Sequence, residues 1–351
     1  MSLKDNCGRP LLNLRVSITQ RCNIHCAYCH REGEVQRANR SAEKMSVEEI
    51  VRIAKIAISL GMARIKLTGG EPLTRRNIAL LISLIKNIQG IKDLSMTTNG
   101  ILLEKHAQQL ADAGLDRINV SLDSLREERY RQITRGGELS SVLKGIDAAV
   151  QAGLKPVKIN MVPIRGFNDN EILSFAEMTL NTEYQVRFIE CMPSSNVDFW
   201  SPAKYMTTDE IKKIIEPLGP LTPVRIRKKG PSKYFRFKGA KGVLGFISAL
   251  THHFCHDCNR LRLTADGKLR PCLFSETEID LRSAIRSSTS DDEIERLLRL
   301  SIAVKPDGHR IGSRQNIPAG DIADAVTDDN EDLRSRFNDT IQKRPMSKIG
   351  G

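Results

Sequence analysis

Six of the chain's eight cysteines stand in two tight groups, with spacings that suit metal or cluster ligation. The first group reads Arg21-Cys22-Asn-Ile-His-Cys26-Ala-Tyr-Cys29-His30, with three and then two residues between the thiols. A loop this short wraps three thiolates around one inorganic centre. A [4Fe–4S] cluster usually takes four thiolates, so three leave one iron open to another ligand, as a catalytic zinc keeps an open position. Such an iron holds and reduces a substrate. The same residues also allow a zinc knot completed by His25 or His30.

The second group, Cys255-His-Asp-Cys258 and then Cys272 after thirteen further residues, has the same two readings. It is a zinc ribbon with His252, His253 or His256 as fourth ligand, or a second three-thiolate cluster. Arg260 and Arg262 alternate beside it on a predicted strand, so both point to one side, toward an anion. Arg15, Lys66, Lys158 and Arg187 also fall at predicted strand positions. Any one of them reads as a solvated surface charge. An unpaired charge within an apolar strand is costly, however, and four of them are best explained by a shared polyanion such as a triphosphate. That favours a nucleotide over a peptide.

Between the two groups, Thr68-Gly69-Gly70-Glu71-Pro72 pairs glycines that let backbone approach a ligand with a Glu71 carboxylate able to accept from an amine. A Gly-Gly pair alone is more often a tight turn. Thr97-Thr-Asn99-Gly100 and Ser121-Leu-Asp123 offer further polar groups.

These residues need a scaffold, and the pattern from Leu12 to about Cys191 supplies one. Short β-branched runs alternate with longer amphipathic stretches, as in repeated βα units around a parallel sheet. Strands are predicted at Leu12–Thr19, Ala63–Thr68, Asp93–Thr98, Asp116–Leu122, Val157–Val162 and Tyr184–Glu190. Ser46-Val-Glu-Glu49 has capping-box spacing and opens a helix with Ile50, Ile53, Ala54, Ala57, Ile58 and Leu60 on one stripe and Gly61 at its end. Gly90, Gly114 and Gly153 end later helices. The expected fold is α/β, a partial TIM-like (βα)6 barrel with a C-terminal cluster-binding extension. Chemistry in such a barrel sits on the βα loops, where the motifs lie. After Glu190 the sequence turns proline-rich and basic, so the expected division is residues 1–191 for the barrel and 192–351 for the extension.

The chain's 351 residues bury a large core without disulfide support. Lys and Arg outnumber Asp and Glu by 54 to 42, and the net charge of +12 favours nucleic acid, an acidic membrane surface or a phosphorylated small molecule. The first residues lack the apolar run of a signal peptide and no stretch is long enough to span a bilayer, so a cytoplasmic, membrane-free protein is expected. A reducing compartment argues against disulfides, and leaves Cys7 and Cys191 without a role.

The Cys22 loop, with an aromatic before its last cysteine, and the Gly-Gly-Glu-Pro loop one βα unit later resemble the radical S-adenosylmethionine superfamily. That resemblance implies a [4Fe–4S] cluster on Cys22, Cys26 and Cys29 whose open iron chelates S-adenosylmethionine, and reductive cleavage to a 5′-deoxyadenosyl radical. Within the superfamily, the Cys22 loop, Leu67–Pro72, Arg117–Asp123, the Cys255–Cys272 segment and the terminal Gly350-Gly351 closely resemble the GTP 3′,8-cyclase family. The likeness runs from about Gly8 to Gly351. It implies a second [4Fe–4S] cluster on Cys255, Cys258 and Cys272 whose open iron binds the guanine. It also places Tyr28, Gly70, Glu71, Ser121 and Met192 at S-adenosylmethionine. Arg15, Lys66, Thr97, Lys158, Arg187, Arg260, Leu261 and Arg262 fall at GTP. Arg15, Arg260, Arg262, Gly350 and Gly351 are implied to assist the radical step.

The implied partners are GTP, an electron donor of the flavodoxin or ferredoxin type, and cyclic pyranopterin monophosphate synthase as the next enzyme, with a homodimer left open. His30-Arg31 stands where many relatives carry Met-Pro, and a polar stretch from Gly312 to Arg334 precedes the terminus. Neither removes a ligand.

Overall fold

The computed structural model describes residues 3–29, 45–193, 199–226, 230–287 and 290–309. All six expected strands form: β1 (Asn13–Ser17), β2 (Arg64–Thr68), β3 (Asp93–Thr98), β4 (Arg117–Ser121), β5 (Lys158–Met161) and β6 (Gln185–Ile189). Each pairs parallel with the next. Helices α1 (Val47–Ser59), α2 (Ile78–Lys86), α3 (Leu103–Asp112), α4 (Glu127–Thr134), α5 (Leu139–Gln151) and α6 (Ile172–Asn181) fill the crossovers. The Ser46 capping box is present: the Ser46 side chain accepts from the Glu49 amide at 3.1 Å, and Glu49 reaches back to the Ser46 amide at 2.6 Å. Ile50, Ile53, Ala54 and Ala57 of α1 are buried against the sheet, each large aliphatic contributing about 1.5–3 kcal/mol.

The extension makes ordered secondary structure that its proline-rich sequence does not announce. It provides α7 (Thr208–Ile215), β7 (Leu221–Val224), β8 (Lys233–Phe237), β9 (Val243–Ile247), β10 (Arg260–Leu263), β11 (Lys268–Arg270), β12 (Ile279–Asp280), α8 (Leu281–Arg286) and α9 (Asp291–Ala303). A single twelve-stranded sheet results, in the order β12-β11-β10-β1-β2-β3-β4-β5-β6-β9-β8-β7. Strand β10 adds parallel to β1 and β9 adds parallel to β6, so the extension covers both edges of the barrel sheet. Parallel strands buried on both sides need apolar residues facing the helices, and Leu14, Val16, Ile65, Leu67, Ile118, Val120 and Ile159 fill that layer. The alternate positions face the barrel interior. Among the described residues no helix is long and apolar enough to cross a membrane.

Candidate active site

Strand alternation sends Arg15 of β1, Lys66 of β2, Thr97 of β3, Asn119 and Ser121 of β4, Lys158 and Asn160 of β5, and Arg187 of β6 into one interior cavity of about 390 Å³. Register lines the cations up: Arg15 sits beside Lys66 on one side and Arg262 of β10 on the other. Arg260 reaches the same cavity from β10. All six clustered cysteines line it as well, with Tyr28, Gly70 and Met192. Strand closure thus brings residues far apart in sequence to one space, in the way the spacing and resemblance imply.

The first cysteine loop is held at its root. Its His25 and Ala27 amides donate to Thr134 and Ile133 at the end of α4, at 3.0 and 2.8 Å, and the Cys29 amide closes a turn onto Cys26. Gly70 packs its backbone on the start of this loop: a Cβ built there would lie 2.3 Å from the Arg21 carbonyl oxygen. Only glycine permits that approach. Tyr28 donates to Asp123 Oδ2 at 2.7 Å, and the Val162 amide donates to Asp123 Oδ1 at 2.9 Å, which ties the loop to the ends of β4 and β5. Burial pushes Asp123 up to about 6.

Glu71 stands apart from the other residues placed at S-adenosylmethionine. It is fully buried, and its carboxylate accepts from the Leu73 amide at 3.0 Å, Thr98 Oγ1 at 2.7 Å and the Asn99 amide at 2.7 Å. Burial pushes it up to about 6. These bonds make it the clamp between the loops after β2 and β3, and its side chain does not line the cavity. Leu261 likewise turns its side chain into the core, away from its neighbours Arg260 and Arg262. Gly350 and Gly351, the stretch 312–334, His30 and Arg31 lie outside the described residues.

The thiols suit a cluster better than a single ion. Neither cysteine triad brings its three sulfurs within 4.8 Å of one another. A tetrahedral zinc with Zn–S of about 2.3 Å would hold them about 3.8 Å apart, whereas a larger four-iron cubane needs the wider spread. Burial pushes Cys22 up to about 11, and burial followed by Asp123, Cys29 and Cys22 pushes Cys26 well above the usual thiol range. To be held as thiolates here, they would need cationic metal among them. Around the second triad the protein supplies positive charge itself. Although burial opposes it, Arg260 and Lys305 bring Cys258 down to about 6. Two of the histidines weighed for a zinc ribbon turn elsewhere, His252 to Asp209 and His256 to Asp257, each at 3.4 Å.

Several residues around this cavity carry no local sequence signal. Lys305 is buried and donates to the Pro271 carbonyl at 2.7 Å, the Arg260 carbonyl at 3.0 Å and Cys258 Sγ at 3.6 Å, joining the segments that bear the second triad. Arg9, paired with Asp5 at 2.6 Å, donates to the Cys255 carbonyl at 2.7 Å and to the carbonyls of Pro306 and Asp307. Glu190 at the end of β6 accepts from the Leu250 and Thr251 amides and anchors the segment leading to Cys255. Tyr234 of β8 meets Lys158 Nζ at 3.3 Å, and Asn119 Oδ1 accepts from Arg187 Nη2 at 2.9 Å. Gly245 separates Tyr234 from Arg187 in register, and a Cβ there would lie 2.9 Å from Arg187 Cγ and 3.0 Å from the Tyr234 ring.

The cations are held together at electrostatic cost. Burial, then Arg262, Arg260 and Arg187, hold Arg15 well below the usual arginine value. Burial, then Arg15 and Arg187, do the same to Lys66. Burial brings Lys158 down to about 8 and Arg262 down to about 9. A multiply charged anion between them would relieve both desolvation and repulsion.

A partial barrel with a three-cysteine loop after its first strand and a Gly-Gly loop after its second defines a radical S-adenosylmethionine enzyme. The family model for the Radical SAM superfamily matches residues 16–179, and that for Molybdenum Cofactor Synthesis C matches residues 184–311. The crystal structure of Streptococcus suis SuiB bound to S-adenosylmethionine shares the fold, with a TM-score of 0.54 at 14% identity over 78% of this chain and 62% of that one. Among curated proteins, the GTP 3′,8-cyclase of Thermodesulfovibrio yellowstonii is 49% identical over 87% of this chain and 95% of its own. That of Alkaliphilus oremlandii is 41% identical over 99% of this chain and 100% of its own. The chain belongs to the GTP 3′,8-cyclase family.

Proposed function

We propose that this chain cyclises GTP to (8S)-3′,8-cyclo-7,8-dihydroguanosine 5′-triphosphate, the first step of molybdenum cofactor biosynthesis. The observation that carries this reading is the shared cavity, lined by two cysteine triads and by cations on β10, β1, β2, β5 and β6. Cys22, Cys26 and Cys29 would hold one [4Fe–4S] cluster, and Cys255, Cys258 and Cys272 a second. With S-adenosylmethionine bound, the first cluster supplies one-electron cleavage to a 5′-deoxyadenosyl radical.

The protein's own groups do the rest. Tyr28, Gly70, Ser121 and Met192 seat S-adenosylmethionine, with Glu71 fixing the loop from behind. Lys66, Thr97, Lys158 and Arg187 hold the triphosphate, while Arg15, Arg260 and Arg262 orient the nucleoside beside the second triad. Cyclisation passes the 3′ hydrogen to the 5′-deoxyadenosyl radical, joins ribose C3′ to guanine C8 as the C8–N7 double bond opens, and ends with one electron from the donor protein and one proton added at N7. The walls must therefore keep the reacting atoms about 3–3.5 Å apart and exclude water that would intercept a radical. The product passes to cyclic pyranopterin monophosphate synthase, and a flavodoxin- or ferredoxin-type protein supplies the electrons.

Anaerobically reconstituted chain is expected to carry about eight irons, two cubanes of four. Supplied with GTP, S-adenosylmethionine and reductant, it should yield 5′-deoxyadenosine and the cyclised nucleotide by mass spectrometry. Deoxyadenosine released while GTP stays intact, or released only with a peptide present, overturns the assignment.

A further inference from the structure

Cys255 has neighbours that the second cluster does not require. His253 Nδ1 lies 3.1 Å from His309 Nε2, and the two rings meet edge to face with centroids 4.6 Å apart. One ligand atom from each of His253, Cys255 and His309 falls within 4.8 Å of the others, an arrangement neither cysteine triad shows. His309 is fixed in place: its Nε2 also lies 2.8 Å from the Ala249 carbonyl, its ring packs on Phe274, and its backbone amide bonds to Cys255. Its Nδ1 is buried with no hydrogen-bond partner among the described residues.

Two imidazoles and a thiolate form a donor set for a small borderline-soft divalent ion. A tetrahedral zinc, with Zn–N of about 2.0–2.1 Å, places two ring nitrogens about 3.3–3.4 Å apart, close to the spacing seen here. Moving the Cys255 sulfur inward completes three ligands and leaves a fourth position open. Binding releases the Cys255 thiol proton to solvent and shifts the His309 proton from Nε2, which gives up the Ala249 carbonyl, to the unpartnered Nδ1, with no electron transferred.

We propose that, in the chain lacking its second cluster, His253, Cys255 and His309 bind one zinc ion, and that this ion excludes the second cluster by taking Cys255. The exclusion rests on the reading of Cys255 as a cluster ligand. The zinc site itself does not. It differs from a zinc ribbon in using one cysteine and His309, which lies 54 residues beyond Cys255 in the chain.

The test uses the full chain with Cys22, Cys26 and Cys29 replaced by alanine, which removes thiols of the first group, stripped of iron and titrated with zinc against a chromogenic chelator. One zinc per chain is expected. His253 is exposed, so His253→Ala leaves packing intact, and His309→Gln preserves a donor for the Ala249 carbonyl. Each should weaken zinc binding by more than the roughly 10–100-fold that loss of a supporting hydrogen bond costs. Cys258→Ala and Cys272→Ala should leave it within about threefold, well below that range. Cobalt should report one thiolate in its charge-transfer band. Zinc binding that depends on Cys258 and Cys272 and ignores both histidines overturns the site.

In the chain with all its cysteines, zinc added before iron and sulfide should cut second-cluster assembly, and His253→Ala should restore it. If the histidine variant stays blocked by zinc, exclusion through this site is wrong. A chain that binds zinc as proposed yet assembles no second cluster under any condition would instead refute the cluster reading, so the two failures are distinguishable.

Discussion

Gly70→Ala isolates the contact on which the first cluster loop depends. The added methyl would sit 2.3 Å from the Arg21 carbonyl oxygen, 2.6 Å from the Arg21 carbonyl carbon and 2.7 Å from the Gln20 carbonyl oxygen. All three are backbone atoms, so no side chain can swing aside. Relief to the 3.0–3.4 Å range requires a shift of about 0.7–1.1 Å between the Gly-Gly loop and the Cys22 loop. The Gly70 amide bond to Thr19 at 2.8 Å and the Glu71 amide bond to Arg21 at 2.7 Å would be strained by the same movement. Overpacking of this kind costs about 1–3 kcal/mol of stability. A displacement of about 1 Å in a site that aligns reacting atoms costs about 10²-fold in rate.

The assay is single-turnover formation of 5′-deoxyadenosine and cyclised nucleotide at saturating GTP and S-adenosylmethionine, normalised to iron content. The rate should fall about a hundredfold. GTP affinity, measured by calorimetry, should hold within about threefold, because Lys66, Lys158 and Arg187 sit on strands that the shift does not touch. A variant with a near-normal rate, or one whose loss lies wholly in GTP binding, would refute the argument that the Gly-Gly loop positions the first site.

Lys158 makes GTP binding sensitive to pH. Burial brings its free-state value down to about 8, and a bound triphosphate raises it, so binding takes up a proton and affinity falls as pH rises through 8. Lys66, also held low by burial, adds to the same trend. Calorimetry from pH 7 to 9 should show the decline, and Lys158→Arg should flatten it; a flat wild-type profile counts against the assignment. Lys305→Met removes a buried ammonium from Cys258 and should move the second cluster's midpoint potential negative while the first cluster's stays put, read by redox titration with electron paramagnetic resonance. Equal movement of both potentials, or of neither, contradicts that role. Glu71→Gln points an amide N–H at a backbone or hydroxyl donor in either flip and should cost about 1–3 kcal/mol in urea unfolding of the iron-free chain. An unchanged midpoint would show that the clamp is not under load.

The barrel strands were legible because each carries its own pattern. Apolar residues facing the helices alternate with Arg15, Lys66, Thr97 or Lys158 facing inward, and a period of two is a local property. The first cysteine triad was legible for a related reason, since a loop of a few residues leaves its thiols nowhere to go but around a common centre, whereas Cys272 is returned to Cys255 and Cys258 by the antiparallel pairing of β10 with β11. Glu71 was legible only in part. Its position in the motif is plain, but only the packing shows that Leu73, Thr98 and Asn99 already occupy its carboxylate. The extension's strands were mostly illegible, since short segments broken by proline acquire their β pairing from the barrel edges they cover.

The order of residues alone thus decided the chemistry available: two sets of three thiols, a Gly-Gly loop and an excess of inward-facing cations. Folding decided which of these meet. Lys305 reaches Cys258 across 47 positions, Tyr234 reaches Lys158 across 76 and Arg9 reaches Cys255 across 246. Such contacts follow from how a twisted sheet brings β10 beside β1 and β9 beside β6. No local spacing encodes them, because the energy that selects them is the burial shared by the whole core.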